Sequence, residues 1–450
     1  MDVGARLVRD YEDGAGVAAS EPVERPDPGR YLAATLPVCG LAAGSVQAFI
    51  AAADRYREAA GTAPIRHRLD PERIAASFTS DRLLRIDGAP VAGFADLSGF
   101  FPTFDGWVRT HANYPHHRAR LLAALELPAD APVEQAESQI AVIRAADLEE
   151  LAAARGAIAV RVRDEAQWRA HPQAGSAAAG PLVAVVERSD RRRCTLPVSG
   201  TPYQPLQGVR VLDLTRVIAG PVATRALALL GAEVLRVDPP GLPEIPWQFA
   251  DTGQGKSSAL LDLRTPNTHW ECLLDAADVL VTGYRPGALE RLGLAGRPGL
   301  VHARVSAWGF AGPWAGRRGF DSIVQAATGI AVIEGASALP GALPAQALDH
   351  ASGYLLAAGV VDALAARTGD GFGRDVRASL ARTATWLLSE RGRNPDHPAP
   401  AVPGPRNTVT HGQTVTAAPA LAEFPDYPFP APDYGRAEPR WAETPVRAPR

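Results

Sequence analysis

Between Leu206 and Ser306, short apolar runs alternate with stretches of helical periodicity, and this alternation restricts the chain more than any other feature. Residues 209–214, 233–237, 259–263, 279–282 and 300–306 read as strands, and residues 221–230, closed by Gly231, and 287–292 as helices. Thr265 offers an N-cap, with Pro266 at the first position of a further helix through Trp270, Leu273 and Leu274. Strand–helix alternation of this kind feeds a parallel sheet with helices on its faces.

The expected fold class is α/β: a Rossmann-like parallel sheet forming the large domain, plus a smaller α+β domain that precedes it in the chain. Residues 1–70 are expected to be an N-terminal extension and a helix; the first 30 lack periodicity, and Leu41, Val46, Phe49 and Ile50 then recur at helical spacing. Residues 71–187 form the small domain, with strand-like pieces at 83–86, 107–110 and 157–162 and an alanine-rich helical stretch at 134–155. The polar run from Arg188 reads as a linker over 188–205. The large domain covers 206–390, with a long helix from about Asp349 and a mostly apolar, helical 376–388. Residues 391–450 are a proline-rich arm.

A net charge of −3 argues against general nucleic-acid binding, so the partner is expected to be a small molecule. Three cysteines, far apart and odd in number, supply neither a disulfide framework nor a zinc spacing. The first ten residues lack a signal-peptide core, and no run reaches the roughly 18 apolar residues of a membrane span, which predicts a cytoplasmic protein that does not engage membranes.

Of the 46 basic residues only Lys256 is lysine, and it sits in Gly253-Gln254-Gly255-Lys256. Glycines let backbone N–H groups approach a phosphate, and an ammonium adds a compact charge, although an arginine-rich composition can also leave one lysine by chance. The turn Thr215-Arg-Val-Ile-Ala-Gly-Pro221 joins a strand to a helix and could present backbone donors to an anion. The Gly-x-Gly-x-x-Gly dinucleotide fingerprint is absent there, and a structural turn would use Gly-Pro equally well.

An ordered set of blocks carries a resemblance. Leu206-Gln-Gly-Val-Arg-Val-Leu-Asp-Leu-Thr, Ala219-Gly-Pro, Leu230-Gly-Ala-Glu-Val-Leu-Arg-Val-Asp-Pro-Pro, Gly255-Lys, Ala277-Asp-Val-Leu-Val, Arg285-Pro-Gly-Ala-Leu-Glu-Arg-Leu-Gly, Trp308-Gly-Phe-Ala-Gly-Pro and Gly319-Phe-Asp-Ser-Ile-Val-Gln resemble class III CoA-transferases of the CaiB/BaiF type. These include formyl-CoA and carnitine CoA-transferases and 2-methylacyl-CoA racemase. The resemblance covers about residues 206–382. It implies coenzyme A or an acyl-CoA as substrate, with no permanently bound cofactor, a carboxylic acid as second substrate, and a homodimer. It also implies CoA contacts at Val217, Ile218, Ala219, Gly253, Gln254, Gly255, Lys256, Gly283, Tyr284, Arg285, Arg291, Ser306, Ala307 and Trp308. Ile218, Pro239 and Gly283 depart from formyl-CoA transferases, which carry glutamine, arginine and asparagine there.

The family nucleophile is an aspartate just before a long apolar helix, a place occupied here by Asp349. A helix N-terminus favours an ionised carboxylate that can attack a thioester, although aspartate is also a common N-cap. The resemblance implies transfer through an aspartyl anhydride and an aspartyl-CoA thioester. Alternatives are an acyl-CoA racemase or isomerase, or a non-catalytic CoA-binding relative. Racemases place a histidine where this chain has Phe320, which cannot move a proton. Residues 105–114 and 165–173 resemble the family's small domain, which ordinarily follows the nucleophile. The helix at 41–60 resembles a degenerate copy of 349–367, with Ala42 in the aspartate's place. Arg109 and Asn113 are candidates to reach the substrate. His111, His116 and His117 are interrupted by Pro115 and have no acidic or cysteine partner at ligand spacing, so no metal is expected.

Overall fold

The computed structural model describes residues 2–192, 200–265, 268–288 and 296–442. Two helices, Val3–Ala15 (α1) and Val38–Ala59 (α2), lead into a three-stranded antiparallel sheet of Phe100–Thr103 (β1), Gly106–Thr110 (β2) and Ala159–Arg161 (β3), with helix Pro115–Ala124 (α3) following β2. The large sheet comprises Val183–Arg191 (β4), Arg210–Leu214 (β5), Glu233–Asp238 (β6), Lys256–Leu260 (β7), Val279–Thr282 (β8), Val301–Ser306 (β9) and Phe372–Ser379 (β10). Its order is β4-β10-β9-β8-β5-β6-β7, and every neighbouring pair is parallel except β10 with β4. The remaining helices that shape the site are Ala219–Leu229 (α4), Asp321–Thr328 (α5), Ala347–Asp370 (α6) and Leu380–Ser389 (α7).

From β5 the chain winds one way, through β6 and β7, and then crosses back to β8 on the other side of β5. Loops leaving the C-terminal ends of β5 and β8 therefore diverge, opening a crevice where parallel sheets bind ligands. Helix α6 is buried nearly all round because it is wedged between α2, α4 and the sheet. Close approach to α4 depends on Gly353: a Cβ there would stand 2.6 Å from the carbonyl oxygen of Ala219 and 3.0 Å from Val222.

Several elements differ from the sequence expectation. Residues 3–15 are a helix whose face, Leu7, Val8 and Tyr11, is buried; the Tyr11 hydroxyl donates to Asp362 of α6 at 2.6 Å. Its acidic and glycine residues hid that short apolar stripe. The polar run from Arg188 continues β4 as an edge strand as far as Arg191, its charge compatible with one solvated face. The strand placed at 259–263 begins three residues earlier, at Lys256. The apolar stretch at 376–388 is a buried strand followed by a helix; periodicity alone cannot separate these. Pro266 and most of the helix expected at 287–292 lie outside the described residues. The C-terminal segment contributes a hairpin, Thr408–His411 with Thr414–Ala417, that pairs with Arg85–Ile86.

Candidate active site

The first turn of the large sheet is held from beneath by a buried ionic knot. Asp213, near the end of β5, accepts from the Thr215 backbone N–H at 2.8 Å, from both the Thr215 and Thr224 hydroxyls, and from Lys256 Nζ at 3.1 Å. Lys256 Nζ also donates to the carbonyl oxygen of Pro221 at 2.9 Å. Burial works against the charge on Asp213, but Lys256 and Arg236 keep its carboxyl below the ordinary range; burial lowers the Lys256 ammonium to about 8 despite Asp213. On this base Val217 adopts a left-handed backbone, φ 71°, a strained state for a β-branched residue, with its N–H donating to Glu244 at 3.0 Å.

Above the turn lies a cavity of about 280 Å³ at the switch point. Its walls are Leu214 and Arg216–Gly220 after β5, residues 283–285 after β8, residues 305–307 at the end of β9, residues 317–320 before α5, Leu380, and Asp349 from the first turn of α6. The N-terminal part of the chain closes it with Tyr114, His116 and His117. Val217, Ile218, Ala219, Gly283, Tyr284, Arg285, Ser306, Ala307 and Asp349 are thus brought together. Trp308 lies just behind, lining a smaller cavity of about 90 Å³ with Trp314, Arg317 and Arg318.

Gly253, Gln254, Gly255 and Lys256 do not line the cavity. Gly253, Gln254 and Gly255 precede β7 and Lys256 opens it, so all four stand at the N-terminal edge of the sheet, opposite the crevice. The Gly255 N–H donates to the carbonyl oxygen of Phe429, and the C-terminal segment covers this loop. Lys256 is 1% exposed and consumed by Asp213 and Pro221, which corrects its reading as a phosphate ligand. Arg291 lies outside the described residues. Asn113 clamps a loop through Gly93 and Ala95, and Arg109 is buried between the rings of Phe94 and Phe100; neither lines the cavity.

Sequence reasoning missed Arg216, Arg317 and Arg318, although the last two form a doublet between two of the quoted blocks. Arg317 pairs with Glu150 at 2.7 Å and Arg216 approaches Glu244 at 3.6 Å. Arg285 and Arg318 have no carboxylate partner among the described residues. Burial, with Arg285 and Arg120 nearby, lowers Arg318 to about 10. Uncompensated arginines around a cleft favour an anionic ligand.

At the other end of the cavity the Asp349 carboxylate accepts no hydrogen bond among the described residues, although the residue is only 6% exposed. Its backbone N–H donates to Asp321 Oδ2 at 2.9 Å, so a side chain of α5 caps α6, whose own N-cap residue Gln346 contributes no side-chain bond. Gln325 donates to the other Asp321 oxygen. Burial, reinforced by the Asp321 charge, pushes the Asp349 carboxyl well up. Asp321 is raised too, by burial, against the pull of its hydrogen bonds and of Arg109. Burial and the neighbouring carboxyl thus oppose the ionisation of Asp349 that the helix start favours. His350 lies in the same turn but stacks on Phe78 at 5.1 Å, away from the cavity wall.

Residues 206–419 match the family model described as CoA-transferase family III. The probable fatty acyl-CoA transferase of Mycobacterium tuberculosis (strain ATCC 25618 / H37Rv) is 36% identical over 221 residues, covering 44% of this chain and 55% of its own. The succinyl-CoA–D-citramalate CoA-transferase of Chloroflexus aurantiacus is 38% identical over 157 residues, 30% of this chain and 39% of its own. The formyl-CoA:oxalate CoA-transferase of Rhodopseudomonas palustris is 33% identical over 196 residues, 39% and 46% respectively. The matched segment 206–419 is the one whose ordered blocks resemble the same family. The chain spans about half the length of the first of these relatives and less of the other two. No helix among the described residues is long and apolar enough to cross a membrane.

Proposed function

We propose that the protein is a CoA-transferase that moves CoA from an acyl-CoA to a free carboxylic acid, with Asp349 as nucleophile. The observation that carries this reading is a buried carboxyl with no hydrogen-bond donor among the described residues, set in the wall of an arginine-rimmed crevice at the switch point. An unsatisfied buried group is costly, and such groups are retained for chemistry.

An Asp349 oxygen attacks the thioester carbon, the C–S bond breaks, and the CoA thiolate leaves a mixed anhydride. The thiolate then attacks the Asp349 carbonyl carbon, expelling the first carboxylate and forming an aspartyl-CoA thioester. The acceptor carboxylate attacks that carbon, a second anhydride forms, and the thiolate takes the acceptor's acyl group, restoring Asp349. Acyl activation is conserved only if water is kept out, which the apolar walls Val217, Ile218, Phe320 and Leu380 favour. Arg216, Arg285, Arg317 and Arg318 would hold the phosphates of CoA. The reading includes a cytoplasmic homodimer without a resident cofactor, the domain division given from the sequence, and no role for nucleic acid or membranes.

Incubation with a panel of acyl-CoAs, followed by hydroxylamine and mass spectrometry, is expected to modify the peptide bearing Asp349; turnover with that peptide unmodified would exclude the mechanism. A second expectation concerns Asp321→Asn, which keeps an acceptor for the Asp349 N–H but removes a negative charge. The acid limb of the pH–rate profile should move down by about 1–3 pH units. The stability effect has a defined sign. A raised carboxyl pKa makes the folded state bind more protons than the unfolded, so stability falls as pH rises from the ordinary carboxylate range through the raised value. Asp321→Asn should accordingly gain thermal stability relative to wild type at neutral pH more than at pH near 4, read from melting curves; equal shifts at both would contradict the coupling.

A further inference from the structure

Helix α3 brings to the crevice an imidazole with no hydrogen-bond partner among the described residues. Pro115 starts the helix after Tyr114, whose hydroxyl is anchored on Glu244, and the first turn thereby brings His116 and His117 to the cavity wall. His117 is 5% exposed, its Nδ1 is buried without a partner, and its Nε2 has none among the described residues. A buried polar side chain is ordinarily satisfied, so one left bare against a cavity has its partner in the ligand.

Its place relative to the nucleophile follows from contacts. The ring meets Phe320 edge-on at a centroid distance of 5.8 Å; Asp321 follows Phe320 and holds the Asp349 N–H. His111, stacked on Phe320 at 3.7 Å, fills the space behind. The charged groups that act most on His117 are cations or other imidazoles: His116, His111, Arg318 and Arg120. Together with burial they hold the ring neutral, its pKa pushed down to about 2. A neutral imidazole offers one N–H and one lone pair. Elsewhere in the cavity wall Val217, Ile218, Phe320 and Leu380 present apolar side chains.

We infer that His117 is a further catalytic residue of this site, its neutral imidazole N–H donating a hydrogen bond to the acyl oxygen while Asp349 attacks. This rests on the transferase reading. As the Asp349 oxygen bonds to the thioester carbon, the C–O π pair moves onto the acyl oxygen beneath the imidazole, then returns as the C–S bond breaks and the thiolate departs. No proton is transferred. A donor aimed at charge that develops only in the transition state contributes to rate more than to binding.

The full chain and its His117→Ala, His117→Gln and His117→Phe variants are compared, after melting curves show each folded, with acetyl-CoA and other acyl-CoAs as acyl donors and free CoA as binding probe. Single-turnover formation of the hydroxylamine-trappable aspartyl adduct should slow about 10²-fold in His117→Ala and His117→Phe, with CoA affinity unchanged. Gln, which restores an N–H, should recover about tenfold of that loss. The wild-type rate should show no imidazole titration between about pH 5 and pH 7. Acylation at the wild-type rate in His117→Ala, or Gln no better than Phe, overturns the inference while leaving the transferase reading intact. Deuterium entering the acyl α-carbon from D₂O, and lost in His117→Ala, would make the residue a base and overturn it equally. Wild-type protein that binds CoA but forms no adduct with any acyl-CoA refutes the transferase reading, and this inference with it.

Discussion

Asp349→Ala is expected to abolish acyl transfer, lowering turnover by roughly 10⁴-fold or more, as loss of a covalent nucleophile does. The same variant should fold at least as well as wild type. The Asp349 carboxylate accepts no hydrogen bond among the described residues and sits beside a second buried carboxyl, so truncation removes an unfavourable group. Its backbone N–H, the bond that caps α6 through Asp321, is retained by alanine. CoA affinity should persist, because the arginines lie on other elements of the cavity wall. Activity, melting temperature and CoA binding measured together separate loss of chemistry from loss of structure. Residual turnover near wild type would remove Asp349 from the mechanism.

Lys256→Ala should produce the largest loss of stability, about 3–5 kcal/mol, the cost of leaving one partner of a buried ion pair uncompensated. Asp213 would then be a buried carboxylate hydrogen-bonded by Thr215 and Thr224 with only the field of Arg236 opposing its charge, and the Pro221 carbonyl would lose its ammonium. Because the knot lies beneath the 215–221 turn, CoA binding should decline only as the folded fraction declines. Asp213→Asn combined with Lys256→Met, which removes both charges, should recover much of the stability, since replacing a buried pair is far less costly than breaking it. Denaturation curves with CoA titrations decide the matter. A Lys256→Ala protein as stable as wild type yet unable to bind CoA would put the lysine back at the ligand.

The misplacement of Lys256 shows where local pattern loses its meaning. Glycines beside a lysine suggest a phosphate cradle wherever they occur, but the segment enters a strand, and in a parallel sheet that places it at the edge away from the crevice. That topological signal was present in the strand assignment, which began three residues late. The raised pKa of Asp349 was opaque for a different reason. Its decisive neighbour, Asp321, is 28 residues away in sequence, and only the docking of α5 on α6 brings the carboxyls together. Tyr114, His116 and His117 were likewise beyond reach, because nothing local shows that α3 folds over the end of a sheet whose first strand begins only at Val183.

The amino-acid order alone determined the alternation of strand and helix from Leu206, the turn after β5, and the placement of an aspartate in the first turn of a long helix. Each is written in periodicity and short-range steric preference, which act between neighbours in the chain. Tertiary structure decided which loops share the crevice, which described arginines lack a carboxylate partner and which carboxyls are held above their ordinary pKa range. Those properties depend on burial and on charges distant in sequence, and both exist only after the elements have packed.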